Sequence, residues 1–326
     1  MAMEVLLSRK VPLTSCVSQR RGNMLPGDFL IPLRERLLDI VSGSNRACSL
    51  NQVTALHLDK ADGDPAAELM DLVHGLLSSG VADHGGSVDY AALRASSRYG
   101  DFRTCTGKLR AFDPAALPTR GARLAFWINL YNTLVLDAVI ALGVQRSVMD
   151  RRAGITFFRQ AAYIVGGQRM SCDDIEHGIL RANRGHPFYP GKQFLASDPR
   201  RKWVIEPFDA RIHFALNCAS RSCPPIRAYS AERLDTQLDL ATRSYLATNA
   251  QIASKWNALY LSSIFKWFQA DFGGRQGVMD FLQAHSPHAE QRDWLRQNRC
   301  RARLQYSRYD WRLNSRASVN EVHPEG

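Results

Sequence analysis

A chain of 326 residues with 45% hydrophobic residues has room for one large domain or two small ones, each with its own core. Its longest apolar stretch, 126–142, is broken by Asn129, Asn132 and Asp137 and falls short of the roughly 18 apolar residues a membrane span needs. Seven scattered cysteines exclude a small disulfide framework and fit reduced thiols. The net charge of +11 is concentrated in the eight arginines between Arg292 and Arg316, which read as a solvated face around Trp294, Tyr306, Tyr309 and Trp311, no nucleic-acid-binding motif being present.

Residues 1–64 read as a partly helical extension. Glu4, Arg9 and Lys10 interrupt any apolar leader, so no secretory signal is expected. A cytoplasmic location is the default, with organelle import through the basic, serine-containing start as the alternative. Pro32 opens a helix whose Leu33, Leu37, Leu38 and Val41 share one face, and Gly43 stops it. A polar loop follows at 59–64.

The globular domain is placed at 65–316, with a tail at 317–326. Pro65 begins a helix with Leu69, Leu72, Val73, Leu76 and Leu77 at helical spacing and Gly80 as its stop. Gly85, Gly86 and Ser87 form a turn. The longest predicted helix runs from Arg120 to Leu142 and ends at Gly143. On it Asn129 and Asn132 lie three apart and share a face, near Trp127. These three are candidates for touching substrate; the alternative is that the two amides fix neighbouring loop backbone.

Tyr163–Met170 reads as a hairpin turning at Gly166-Gly167. Ser171 then caps a helix with Asp173 and Asp174 in its first turn, and Asp174 stands three residues before His177. Arg211–Asn217 alternates like a strand and delivers Cys218 at its end; Cys223 and Pro224 follow a short loop. Beyond Ser230 a helix carries Leu234, Leu238, Ala241 and Tyr245 on one stripe. A strand at 258–262 and short helices near 278–284 and 290–297 complete the pattern.

Three segments carry a resemblance: 126–132 (FWINLYN), 175–181 (IEHGILR) and 212–226 (IHFALNCASRSCPPI), joined by 263–268 with Asp271-Phe272 and by 309–314. In this order they resemble the hallmark segments of the domain-of-unknown-function 547 family over about residues 70–315. The resemblance implies a domain boundary and no settled activity. The fold class expected is α+β, several helices around a small, mostly antiparallel sheet. A papain- or transglutaminase-like arrangement is a comparison drawn from chemistry alone.

That chemistry starts from the thiols. A thiol attacks only as thiolate, a nearby imidazole can take its proton, and a third polar group orients the imidazole. Cys223 is the expected nucleophile, with Cys218 close behind it. His177 is the expected base, Asp174 or Glu176 its orienter, and His213 belongs to the same constellation. Three other readings use the same atoms. A zinc site of His213, Cys218, Cys223 and His177 has looser spacing than a usual knuckle. A redox pair would be Cys-x4-Cys rather than Cys-x-x-Cys. Both thiols could also be inert core residues.

The expected function is a cysteine-dependent hydrolase or acyl transferase acting on an amide, ester or thioester of a small molecule or peptide. No cofactor and no metal is implied, nucleic acid is not an expected partner, and oligomeric state is left open. The alternative is a non-enzymatic interaction domain with a structural or zinc-bound Cys/His cluster.

Overall fold

The computed structural model describes residues 30–316 apart from 46, 53–64, 82–85 and 151–153. The basic start of the chain, the polar loop at 59–64, Gly85 of the predicted turn and the tail from 317 lie outside the described residues.

The chain is built around helix α5 (Arg120–Ala141), which follows α1 (Ile31–Ser42), α2 (Pro65–Gly80), α3 (Tyr90–Ala95) and α4 (Ser97–Lys108). Thr119 caps α5 by accepting the Ala122 N–H at 3.0 Å, and every residue from Leu124 to Val139 is buried. Among the described residues this is the one helix long and apolar enough to cross a membrane, yet 89% of its apolar window is buried inside the protein. Its one buried charge, Asp137, is satisfied in place by the Tyr99 and Tyr163 hydroxyls and the Arg103 guanidinium. Helix α2 buries Leu69, Leu72, Val73 and Leu76 as its spacing predicts. Helix α1 also forms, ending at Gly43 with φ +63°, but Leu33, Leu37, Ile40 and Val41 face outward. It is held by polar contacts instead: Arg34 donates to the Pro190 and Lys192 carbonyls, and Arg159 pairs with Glu35 and Asp39.

After α6 (Ile155–Gln160), strands β1 (Ala162–Val165) and β2 (Gln168–Ser171) form the expected antiparallel hairpin. Gly166 and Gly167 take φ +52° and +75°, the two consecutive positive values that a tight primed turn requires. Helix α7 (Leu234–Asn249) leads into β3 (Ala250–Ala253) and β4 (Ala258–Ser262); α8 (Ile264–Trp267), α9 (Gly274–His285) and α10 (Ala289–Asn298) precede β5 (Arg303–Ser307). Strand β4 pairs antiparallel with β3 and parallel with β5. The fold is α+β, with two small sheets instead of one. In β5 Arg303, Gln305 and Ser307 are exposed while Leu304 and Tyr306 pack inward, so this part of the basic stretch is the solvated side of a sheet edge.

Two segments differ from the sequence reading. Residues 211–217 are not a strand: Ala210–Phe214 is a 3-10 turn, started by the Asp209 carboxylate accepting the Arg211 N–H at 3.0 Å. Ile212, His213, Phe214 and Ala215 are all buried, so the apolar alternation that suggested a pleated strand marks no single face. The segment after Ser171 is helical but wound as a π-helix over Asp174–Leu180, with Arg181 N–H bonded to Glu176 O and Asn183 N–H to Gly178 O. Ser171 does cap it, in a reciprocal pair: its hydroxyl accepts the Asp174 N–H while Asp174 Oδ2 accepts the Ser171 N–H, each at 3.1 Å.

Gly178 lies in this π-helix with the Phe194 ring directly over its Cα, where a Cβ would overlap it. Gly178→Ala is therefore expected to destabilise the fold by about 1–3 kcal/mol through overpacking. Urea unfolding checks this; a midpoint equal to the parent's would contradict it.

The buried residues form two clusters, one around α5 and one around Phe214, Tyr245, Phe265 and Phe272. Residues of both line a single pocket at their seam.

Candidate functional site

The pocket encloses about 740 Å³, its open mouth included, and is lined by Cys218, Cys223, Glu176, His177 and His213 together with Tyr131 and Tyr309. The thiols, both imidazoles and one of the two acids expected from the sequence thus converge. Phe158, Phe188, Trp267, Phe268 and Trp311 supply an aromatic wall.

The cysteine loop is fixed from below. Asn217 donates to the Pro224 carbonyl at 2.7 Å, accepts the Ala219 N–H at 2.8 Å, and gives its own N–H to Asn132 Oδ1. Ala219 adopts φ +64°, turning the chain back so that Cys218 and Cys223 face each other. From the other side the segment 309–313 runs along the loop: Arg221 N–H bonds to Arg312 O, and Ser222 Oγ accepts the Asp310 N–H at 2.8 Å. This brings Tyr309 to the thiols.

Cys223 Sγ collects four polar contacts: the Cys218 N–H at 3.0 Å, the hydroxyls of Ser220 and Tyr309 at 3.2 Å each, and Cys218 Sγ at 2.7 Å. Burial by itself pushes the Cys223 thiol up, but the contacts from Cys218, Ser220 and Tyr309 outweigh it and hold the thiol below its usual range. The contact with Cys223, together with burial, pushes Cys218 up. The two thiols therefore titrate as a pair, with the downward direction on Cys223 and the upward one on Cys218.

Neither imidazole touches a sulfur. His177 Nδ1 lies 3.0 Å from Arg181 Nη1. A guanidinium can only donate, so Nδ1 accepts and the ring proton sits on Nε2. Burial and the nearby cationic groups hold His177 well below its usual range, leaving it neutral. A neutral ring with Nε2–H is a hydrogen-bond donor, and the expected role of base does not fit that tautomer. His213 Nε2 lies 2.9 Å from Asp271 Oδ2, and its ring stacks on Phe268. Asp271 in turn binds Arg181 at 2.6 Å and Arg184 at 3.1 Å. A buried chain, His213–Asp271–Arg181–His177, therefore sets the orientation of both imidazoles.

The orienter expected for His177 was Asp174 or Glu176. Asp174 faces away, bound by Ser171, Gln193 and Arg200. The wider π-helical turn is the reason: it brings Arg181, four residues on, against His177 instead of the acid three residues back. Glu176 does reach the pocket, accepting the Tyr131 hydroxyl at 2.9 Å, with Oε1 3.7 Å from His177 Nδ1. Burial raises its carboxyl to about 7, poised to gain or lose a proton near neutrality.

Asn129 and Asn132 do not line the pocket. Each spends both ends of its amide on loop backbone, Asn129 clasping Tyr229 and Asn132 bridging Ala215 and Asn217. Trp127 is fully buried against Phe126 and Trp203. All three hold the scaffold.

The proposed zinc ligands His213 and His177 are committed to Asp271 and Arg181. A different trio, Asp173, His177 and His186, brings ligand atoms within 4.8 Å of one another. Metal-bound histidines usually donate their second ring nitrogen to an acceptor; His177 instead receives a hydrogen bond there.

Sequence reasoning missed Tyr309, Tyr131, Ser220, Arg181, Asp271, His186 and Asp173. Five of these fall inside the segments quoted for the family resemblance, which was the available signal. Asp173 and His186 stand just outside them.

The site also shapes acid stability. Burial holds His177 and His213 below the usual imidazole range and lowers His186 to about 3. Below about pH 6.5 the unfolded chain takes up protons that these folded rings refuse, so stability falls as pH drops. Burial raises Asp173 and Glu176 to about 7, so between about pH 4 and 7 they hold protons the unfolded chain has released, with the opposite sign. The expected profile is a shallow loss from about pH 6.5 to 4.5 and a steep one below about pH 4, where Asp271 and Asp174, both held low, must also be protonated. Urea midpoints measured against pH check it; a profile unchanged down to about pH 3 would contradict it.

The family described as "Protein of unknown function, DUF547" matches residues 115–246. No curated protein and no solved structure matches the chain. The matched segment holds both cysteines, Glu176, His177 and His213, while Trp267, Asp271 and Tyr309 come from outside it.

Proposed function

Proceeding from a chain that carries a DUF547 domain, a family whose description assigns no activity, we propose that it is a cysteine-dependent acyl-transfer enzyme, a hydrolase or acyl transferase, with Cys223 as nucleophile. One observation carries this reading: Cys223 Sγ sits in an aromatic-walled pocket under four polar contacts that favour its thiolate. Attack on an ester, thioester or amide carbonyl forms a C–S bond to Cys223. The tetrahedral oxyanion then collapses and expels the leaving group. Glu176, half protonated near neutrality, gives the leaving group its proton and takes one from the water or acceptor that resolves the thioester. His177 Nε2–H is a neutral donor available to the oxyanion.

The test is a burst assay with a p-nitrophenyl ester. One equivalent of p-nitrophenolate per chain is expected in the first turnover, and none from Cys223→Ala. Glu176→Gln should slow steady turnover about 10²–10⁴-fold, the range for a general acid-base group. A burst that survives Cys223→Ala would overturn the reading.

A second reading is favoured by the 2.7 Å between the two sulfurs. A peroxide could oxidise Cys223 to a sulfenic acid, which Cys218 would resolve to a disulfide with release of water. Peroxide consumption coupled to a Cys218–Cys223 disulfide, with no acyl burst, would select it. An interaction domain without catalysis is the outcome if the thiols react in neither assay.

A further inference from the structure

One pocket carboxylate, the half-buried Asp173, has no directly bonded partner among the described residues, and the Arg159 charge acts on it only from beyond contact. The neighbouring arginines are engaged elsewhere: Arg159 binds Glu35 and Asp39, Arg34 binds Glu35, and Arg181 binds Asp271. His177 and His186, packed edge to face at 4.6 Å beside Asp173, are both held neutral by burial and supply no cation. Glu176 and the Cys223 thiolate add further negative character to the same space. Phe158, Phe188 and Trp267 line the same pocket, and aromatic rings attract a desolvated cation.

We propose that the pocket recognises its substrate through a cationic amine, an alkylammonium group seated between Asp173 and the aromatic wall. This rests on the reading of the Cys223 pocket as a substrate site and names what enters it. A carboxylate ligand would instead meet Cys223 and two carboxyls whose ionised forms repel it. A neutral alkyl chain would leave Asp173 buried and unpaired, which disfavours it relative to a cation.

The experiment measures binding of three probes of equal length, n-hexylammonium, hexanol and hexanoate, by calorimetry and tryptophan fluorescence at about pH 8, where the carboxyls are ionised. In the parent protein hexylammonium is expected to bind at least tenfold tighter than hexanol, and hexanoate more weakly than either. Asp173→Asn should remove that preference by lowering hexylammonium affinity about tenfold while leaving hexanol unchanged. Hexanoate binding as tightly as hexylammonium in the parent would overturn the proposal without recourse to any variant. So would an equal loss of both probes in Asp173→Asn. Repeating the series in Cys223→Ala separates the two claims, since binding needs no thiol. Amine preference with no acyl burst from the parent sinks only the nucleophile. A burst with no amine preference sinks only the specificity.

Discussion

Alkylation by iodoacetamide at about pH 6.5 is expected to modify Cys223 rapidly in the folded protein, and to leave Cys105 and Cys172 untouched. The two silent thiols are buried, and burial pushes both upward, Cys105 to about 12. Cys223 differs because the Cys218 N–H donates to it and three groups able to donate, the Cys218 thiol and the Ser220 and Tyr309 hydroxyls, contact it. Removing one of them tests that cause. Cys218→Ala deletes the thiol that contacts Cys223 at 2.7 Å but keeps the backbone N–H at residue 218. A hydrogen bond to a charged group contributes about 1.5–3 kcal/mol, so the Cys223 rate at this pH should fall roughly 10–100-fold. Tyr309→Phe removes a longer contact and should act in the same direction with smaller size. Rates of Cys223 that ignore both substitutions would mean that the donors do not set its ionisation.

The largest expected loss of stability comes from a residue far from the thiols in sequence. Asp271→Asn is expected to destabilise the fold by about 3–5 kcal/mol, because it leaves the Arg181 guanidinium buried without its counter-charge. The side chains of Asp271 and His213 are 2% exposed and that of Arg181 5%, so water cannot substitute. The same change frees Arg181 to shift from His177, and Tyr309 and Cys223 lie in the same pocket wall. The denaturant midpoint should fall with little change in slope. A loss below about 1 kcal/mol would show that the ion cluster is not worth what its burial implies.

Much of the scaffold was legible because its signals are local. Helix α5 announces itself by length and a clean glycine stop, α2 by spacing, and the hairpin by Gly166-Gly167. The turn at 210–214 was not legible as such: when both sides of a segment are buried, alternation carries no information about its pleat. The π-helix was missed for a related reason, since the capping pattern Ser171–Asp174 is the same for an α- or a π-helical start. That one difference in winding exchanged Asp174 for Arg181 as the neighbour of His177, and so turned an expected base into a donor.

That the cysteines, imidazoles and Glu176 line one pocket was legible as a grouping, because they crowd into short segments. Their partners were not, because they arrive from elsewhere: Tyr309 lies 86 residues beyond Cys223, and Asp271 lies 90 beyond Arg181. Pairings of that span are decided by packing. Asn129 and Asn132 illustrate the converse, two polar groups on a buried helix whose chemistry is spent on holding loops at Tyr229 and Asn217.

The central claim is that Cys223 carries the acyl group, and the most direct measurement is peptide mass mapping of the protein quenched in acid during turnover of an activated ester. A hydroxylamine-labile acyl adduct on Cys223, absent from Cys218 and from every lysine, is the predicted result. An adduct found only on other residues, or on Cys223 only after the protein has been unfolded, would contradict it.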